Sequence, residues 1–210
     1  FYVYPEGNQL PYVDRVKVNL ANSSEMARSK AATGEATLAG RHPQAAQVPL
    51  YKRNEEKGNF DTYLYPISYG GITNIQLNLS HPNSEMRELF LDLRLRKALS
   101  YAMNREDINE KVYYGQAKVS QATIPRVCDS WKKEYAQSYV EFAPDQAREL
   151  LDEMGMVDSN GDGFRERPNG EDFNPTLIYC KMGAVDPTKS LELIRKDFEE
   201  VGLDIDLKKV

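Results

Sequence analysis

The run Asp-Ser-Asn-Gly-Asp-Gly at residues 158–163 is the most motif-like stretch of the chain. Asp158, Asn160 and Asp162 place side-chain oxygens at alternate positions, and a glycine supplies a sharp turn, as in the first half of an EF-hand-type calcium loop. These three residues are candidate calcium ligands. The second half of that pattern departs: Asn169 stands where a bidentate glutamate belongs, and Pro168 and Pro175 replace the helix that should follow. A polar turn or hairpin uses the same Asp, Asn and Gly for its own hydrogen bonds, so both readings stand. Beyond that calcium, no cofactor is expected.

Other chemistry was sought by spacing. The sequence has no GxSxG elbow, Walker loop, HExxH or dinucleotide fingerprint. Glu55-Glu56, Glu106-Asp107 and Glu199-Glu200 are adjacent pairs on polar helix faces, and neighbouring side chains on a helix diverge, which suits neither metal bridging nor acid/base work. A glycosidase needs two carboxylates converging at about 5–9.5 Å, and nothing in the sequence favours that. With only two histidines, a His-based metal site is not expected. Cys128 and Cys180 match no metal-ligand spacing and read as buried thiols, with a disulfide as the alternative in an exported protein. The chain is therefore not expected to be an enzyme.

Recognition of a ligand is better served. Arg41 and His42 follow a short apolar run at 36–39 that reads as a strand, and open α/β sheets bind ligands outside the carboxyl ends of their strands. Trp131, the sole tryptophan, lies on a long turn-rich connection at 116–139, and long connections are commonly functional. Its ring suits stacking on a sugar or gripping a peptide side chain; the alternative is a tryptophan that pins the connection to the core.

The elements that would position these groups follow from periodicity. Residues 92–115, DLRLRKALSYAMNREDINEKVYYG, carry two helix signals. Asp92 caps the first, and Leu93, Ala98, Leu99, Ala102 and Met103 give its apolar stripe, with Arg94 and Lys97 off it. Asn104 turns the chain; Glu106 and Asp107 sit in the first turn of the second helix, where the macrodipole favours acids. Ile108 and Val112 form its buried face and Gly115 ends it. Elsewhere, alternation predicts strands at 15–20, 63–69, 72–79, 176–180 and 203–207. Caps and stops predict helices from Ser23 or Ser24 to Ala32 (stopped by Gly34), over 50–60, over 143–156 (capped by Asp145), and from Asp186-Pro187 to Gly202. The last three elements make a β–α–β unit at 174–209, so its strands should be parallel with a right-handed crossover.

Composition bounds the partners. The 210 residues are 40% hydrophobic and 28% charged, enough apolar side chain for one large or two small domains. A net charge of −5 and a pI near 5.2 argue against nucleic acid as a partner. There is no run of about 18 apolar residues to span a bilayer. The chain opens without Met or a signal peptide and closes on a strand pattern, which reads as an internal fragment of a longer protein.

Asp92, Arg94, Arg96, Ala98, Ala102, Asn104, Arg105, Glu106 and Gly115 together resemble the signature segment of the extracellular solute-binding proteins of the oligopeptide/dipeptide/nickel class, the ligand-capturing subunits of ABC importers. The Gly34-Glu35 pair, the helix at 143–156, the DxxxDG turn and the β–α–β unit are similar to that family too. Thr37 and Ala143, where the family often has Asp, are departures. The resemblance covers about residues 7–207. It implies an α/β, periplasmic-binding-protein-like fold, a fragment with part of the large lobe (1–79) and most of the second lobe (80–210). It implies that Asn74 and Asn78 face the interlobe cleft and that Tyr69 walls it, beside Arg41, His42 and Trp131. It implies capture of an oligopeptide between two lobes without chemistry. The runs GNQLPYVDR and Gly40-Arg41-His42 are similar to a subgroup that includes sugar binders, so an oligosaccharide is the second expectation. Expected with it are ABC transporter membrane subunits as partners, a monomeric state, and a periplasmic or extracellular location with membrane anchoring of the full-length protein. From other classes, a calcium-stabilised interaction module around 158–169 and a glycoside hydrolase fragment are the rivals.

Overall fold

A computed structural model of the chain describes residues 7, 9–11, 13–40, 47–65, 73–126, 128–181 and 186–210. The chain forms two units, Phe1–His42 with Leu50–Thr62, and Pro43–Pro49 with Tyr63–Val210. Arg41, His42 and Tyr69 lie outside the described residues.

The first unit is built on two helices. Helix α1 (Ser24–Ala32) starts where Ser23 Oγ accepts the Met26 N–H at 3.1 Å, the capping bond expected from the sequence. It ends at Gly34, whose φ of +79° places it in the left-handed region. A Cβ at Gly34 would collide with the Gly58 carbonyl, so this glycine serves both the turn and a close approach to the end of α2 (Val48–Gly58). After α2 the chain folds back. Glu55 accepts from Lys52 Nζ at 2.8 Å and from the Thr62 N–H at 2.6 Å, and these bonds hold its carboxyl below the usual range.

Residues 15–20 and 36–39 form no strand among the described residues, contrary to expectation. Val16, Val18, Leu20 and Leu38 are all strongly exposed. Alternating side chains give a strand only where a neighbouring chain accepts the backbone bonds, and none is described beside them. Residues 63–65 are likewise outside any sheet.

The second unit holds the rest. Residues 73–78 are extended without a ladder, yet Ile75 and Leu77 pack against the core while Asn74, Gln76 and Asn78 are exposed; the expected alternation is kept without the expected pairing. Helix α3 (Ser84–Leu91), which periodicity did not single out, is capped by Asn83 and buries Leu89 and Phe90. Helices α4 (Leu93–Ala102) and α5 (Arg105–Tyr113) form the predicted corner, with Asp92 accepting the Arg94 N–H at 2.7 Å and Asn104 accepting the Asp107 N–H at 3.0 Å. The α4 stripe is shifted from expectation. Leu93 is exposed, and Leu95 is fully buried with Ala98 and Ala102, because α4 rests on α3, α7 and α8 along that face.

A short helix, α6 (Lys133–Gln137), interrupts the connection expected to be a loop. Helix α7 (Pro144–Glu153) follows, with Ala143 at its cap and no side-chain capping bond. Asp145 was expected to cap it; it sits inside the first turn and pairs with Arg148 at 2.6 Å instead. Strand β1 (Thr176–Tyr179), helix α8 (Thr188–Glu199) and strand β2 (Asp206–Lys209) make the predicted unit, with β1 and β2 parallel from Thr176 opposite Asp206 to Tyr179 opposite Lys209.

Helix α4 packs on α3, α7 and α8, and α5 on α8, around Leu95, Leu151, Met156, Val201 and Leu203. Burying each such side chain contributes about 1.5–3 kcal/mol. Arginines close the helix ends. Arg94 donates to Glu153 O at 2.9 Å and Arg148 to Glu200 O at 2.9 Å, while Arg165 donates to Met156 O and to Val201 O, the latter at 2.9 Å. These cations satisfy free carbonyls at the negative ends of α7 and α8. Cys128 and Cys180 are exposed free thiols, not the buried pair expected; each lies on a segment between helices and strands rather than on a core-facing stripe. Among the described residues no helix is long and apolar enough to cross a membrane.

Candidate functional site

The clearest polar constellation is the turn after α7. Carboxylate oxygens of Asp158, Asp162 and Glu166 lie within 4.8 Å of one another. The sequence singled out the first two; Glu166 was missed. It is 4% exposed, and its Oε2 accepts the Ser159 N–H at 2.7 Å and the Ser159 hydroxyl at 2.6 Å. A glutamate between two arginines in sequence reads as surface. Only the antiparallel bridge between Glu166 and Asp172 turns it inward.

The same oxygens are engaged by the turn itself. Asp158 accepts the Gly161 N–H at 2.7 Å and the Gly163 N–H at 3.0 Å. Asp162 accepts the Phe164 N–H at 2.8 Å and the Asn160 amide at 3.1 Å, and Asn160 accepts the Asp162 N–H at 2.8 Å. Asn160 thus serves the turn. Asn169, at the place of the absent bidentate glutamate, donates to Glu85 of α3 at 2.6 Å and accepts the Glu171 N–H at 3.0 Å; Arg167 reaches Glu85 at 3.3 Å and also pairs with Glu171. The hairpin is tied to Glu85 of α3 through Asn169 and Arg167. Turn hydrogen bonds engage Asp158, Asn160 and Asp162, and the bidentate glutamate of a calcium loop is missing.

Of the candidate ligand contacts that are described, Asn74 and Asn78 are exposed on the extended segment, and Asn78 Oδ1 accepts the Ser80 N–H at 3.1 Å, starting the turn into α3. Trp131 is half-buried. The Arg126 guanidinium lies 5.3 Å from its ring centroid, and its N–H donates to Cys128 O at 2.9 Å, so its contacts come from its own connection.

The signature corner spends its charged side chains on its own caps and backbone. Arg105 donates to Ser100 O at 2.7 Å and to Ser100 Oγ at 2.8 Å, and its burial lowers its pKa. Asp92 pairs with Arg94 at 2.8 Å, and the Arg94 hydrogen bond holds its carboxyl below the ordinary value. At the other end of the unit, Asp186 accepts from the Thr188 N–H and hydroxyl and from Lys209 Nζ, which together hold its carboxyl well below the usual range. This cluster lies at the start of α8, beside the carboxyl ends of β1 and β2. Tyr113 Oη links Thr73 Oγ1, at 3.0 Å, with the buried Ser190 Oγ, at 3.3 Å.

The arrangement of helices on a parallel β–α–β unit is that of the periplasmic binding proteins. The solved structure of an oligopeptide-binding protein OppA superposes with a TM-score of 0.75 and 27% identity over 91% of this chain and 30% of that one. The family model for bacterial extracellular solute-binding proteins, family 5 (middle), matches residues 2–210, and the chain belongs to that family. The oligopeptide-binding protein AppA of Bacillus subtilis is 30% identical over 124 residues, 58% of this chain and 22% of its own length. The probable ABC transporter periplasmic-binding protein SapA of Escherichia coli is 24% identical over 198 residues, 93% of this chain and 31% of its own. The structure of Bacillus subtilis AppA in complex with a nonapeptide gives a TM-score of 0.53 and 26% identity over 60% of this chain and 25% of that one. The chain thus spans under a third of the length of each of these relatives.

Proposed function

We propose that the protein carrying these residues is the substrate-binding component of an ABC importer, and that it captures an oligopeptide between two lobes and releases it unaltered. The family match over residues 2–210 carries this reading, and the names of the relatives, oligopeptide-binding AppA and OppA among them, favour a peptide. In this reading residues 1–79 contribute to the large lobe and 80–210 to the second. The extended segment 73–79 is the crossing, with Ile75 and Leu77 seated on the second unit's core. Arg41, His42, Tyr69, Asn74, Asn78 and Trp131 are the proposed ligand contacts. Closure is driven by the ligand's greater affinity for the closed state, and a few polar groups with aromatic walls set specificity. The membrane subunits of the transporter are the proposed partners. The protein acts as a monomer outside the cytoplasmic membrane, anchored to it at full length.

The test is a thermal-shift screen of the full-length protein against peptides and oligosaccharides. A ligand at 100 times its Kd adds about 2.7 kcal/mol to the folded state, a readily visible rise in Tm. A rise with peptides is expected. A rise with oligosaccharides alone would replace the peptide with a sugar, and hydrolysis of any bound ligand would overturn the reading.

A further inference from the structure

The connection between α5 and α7 is held at its two ends, by Asn109 on Ala117 and by Tyr101 O on the Ala143 N–H, and between them it is drawn to the Ser100 hydroxyl. Ser100, on α4 and 7% exposed, donates its hydroxyl to Tyr139 O at 2.6 Å and accepts from Gln121 Nε2 at 2.6 Å and Arg105 Nη2 at 2.8 Å. A hydroxyl has one donor and two acceptor sites, so this one is saturated. Gln121, near the start of the connection, also donates to Ser138 O at 2.9 Å, and its N–H donates to Ala136 O at 2.8 Å. Arg105 reaches Val140 O at 3.3 Å. Two points of the connection therefore meet at Ser100, one through Gln121 and one through Tyr139.

Between those points the described contacts are internal. Cys128 N–H donates to Pro125 O at 3.0 Å, Trp131 N–H donates to Cys128 O at 2.9 Å, and Arg126 lies over the Trp131 ring. Ile124 is 42% exposed and Tyr135 is 53% exposed. A segment with few buried apolar contacts and a localised tie belongs to the low-stability end of a fold.

We propose that the Ser100 hydroxyl is a latch, and that the connection it closes opens and shuts as one unit while α4, α7 and the β–α–β unit stay folded. Arg105 is the positioning residue: its guanidinium, held by Ser100 O, aims the hydroxyl at Tyr139 O. Trp131 and Arg126 ride on the moving part, whatever the binding protein carries in its cleft.

Native-state hydrogen exchange on the chain tests this, with S100A and Q121A. Both variants should speed exchange at the Gln121 and Trp131 amides by about tenfold or more. The Leu203 and Asp206 amides, bonded to Phe198 O and Pro175 O, should change by less than about twofold. Acrylamide quenching of the sole tryptophan should rise in parallel. Unchanged exchange at Gln121 and Trp131 would overturn the proposal, and so would an equal rise at all four amides, which marks plain loss of global stability. Q121A decides the matter should S100A fail to fold.

Discussion

The backbone N–H of Asn104 donates to the Asp197 carboxylate at 2.8 Å, joining the α4–α5 corner to α8 across 93 residues of sequence. This bond locks the signature segment onto the β–α–β unit, and it does so with a half-buried acid. Burial, with Glu200 and Asp107 nearby, raises the Asp197 pKa against the lowering effects of the Asn104 bond and Lys196. The protonated form is thus favoured on folding. Its contribution is fully present below the unfolded pKa and is lost as pH rises through the folded value.

D197N keeps an acceptor for the Asn104 N–H and removes the charge. It should raise Tm at pH 7 and leave Tm unchanged at pH 3, where Asp197 is already protonated in both states. Scanning calorimetry at the two pH values checks this, and a lower Tm at pH 7 would count against burial as the dominant cause.

Two residues apart on α4, and so on nearly opposite faces of the helix, Leu93 and Leu95 differ in burial. L95A should cost about 2–5 kcal/mol, since Leu95 is fully buried, whereas L93A, at a site 52% exposed, should stay within about 0.5 kcal/mol. Urea unfolding measures both; equal costs would contradict the stripe described for α4.

These two leucines also show what the sequence could and could not tell. The caps at Ser23, Asp92 and Asn104 were legible because each bond spans two or three residues and depends on side-chain type alone. Which leucine faces inward depends on what α4 rests against, and the order of residues does not carry that. The strands separate in the same way. Residues 176–179 and 206–209 pair through a local crossover, so pattern found the unit, although the closing strand, expected over 203–207, forms over 206–209. Residues 15–20 alternate and 36–39 are an apolar run, but both lack a described neighbour, and the turn beside Glu166 was legible while the burial of Glu166 was not. For the site, Asn78 also serves a turn and Trp131 lies against Arg126, while Arg41, His42 and Tyr69 lie outside the described residues.

G34A should destabilise the first unit by more than about 1 kcal/mol, through the left-handed backbone at φ +79° and the collision with the Gly58 carbonyl. Exchange of α1 and α2 amides reads the loss; protection of β1 and β2 should hold, and its equal loss would argue that the two units unfold together.

D158A removes the acceptor of the Gly161 and Gly163 N–H groups and should cost about 1–2 kcal/mol. The cost should be the same in EDTA and in millimolar calcium, because the turn's own amides engage these oxygens. A calcium-dependent rise in the Tm of the unaltered chain, lost in D158A, would return the turn to metal chemistry.

The two exposed sulfhydryls have a practical corollary. Cys128 sits on the connection tied down by Ser100, and Cys180 follows the last residue of β1. The natural chain therefore carries one maleimide handle on each side of the proposed motion. A donor and acceptor dye pair attached there would act as a ruler across it, needing no engineered attachment point.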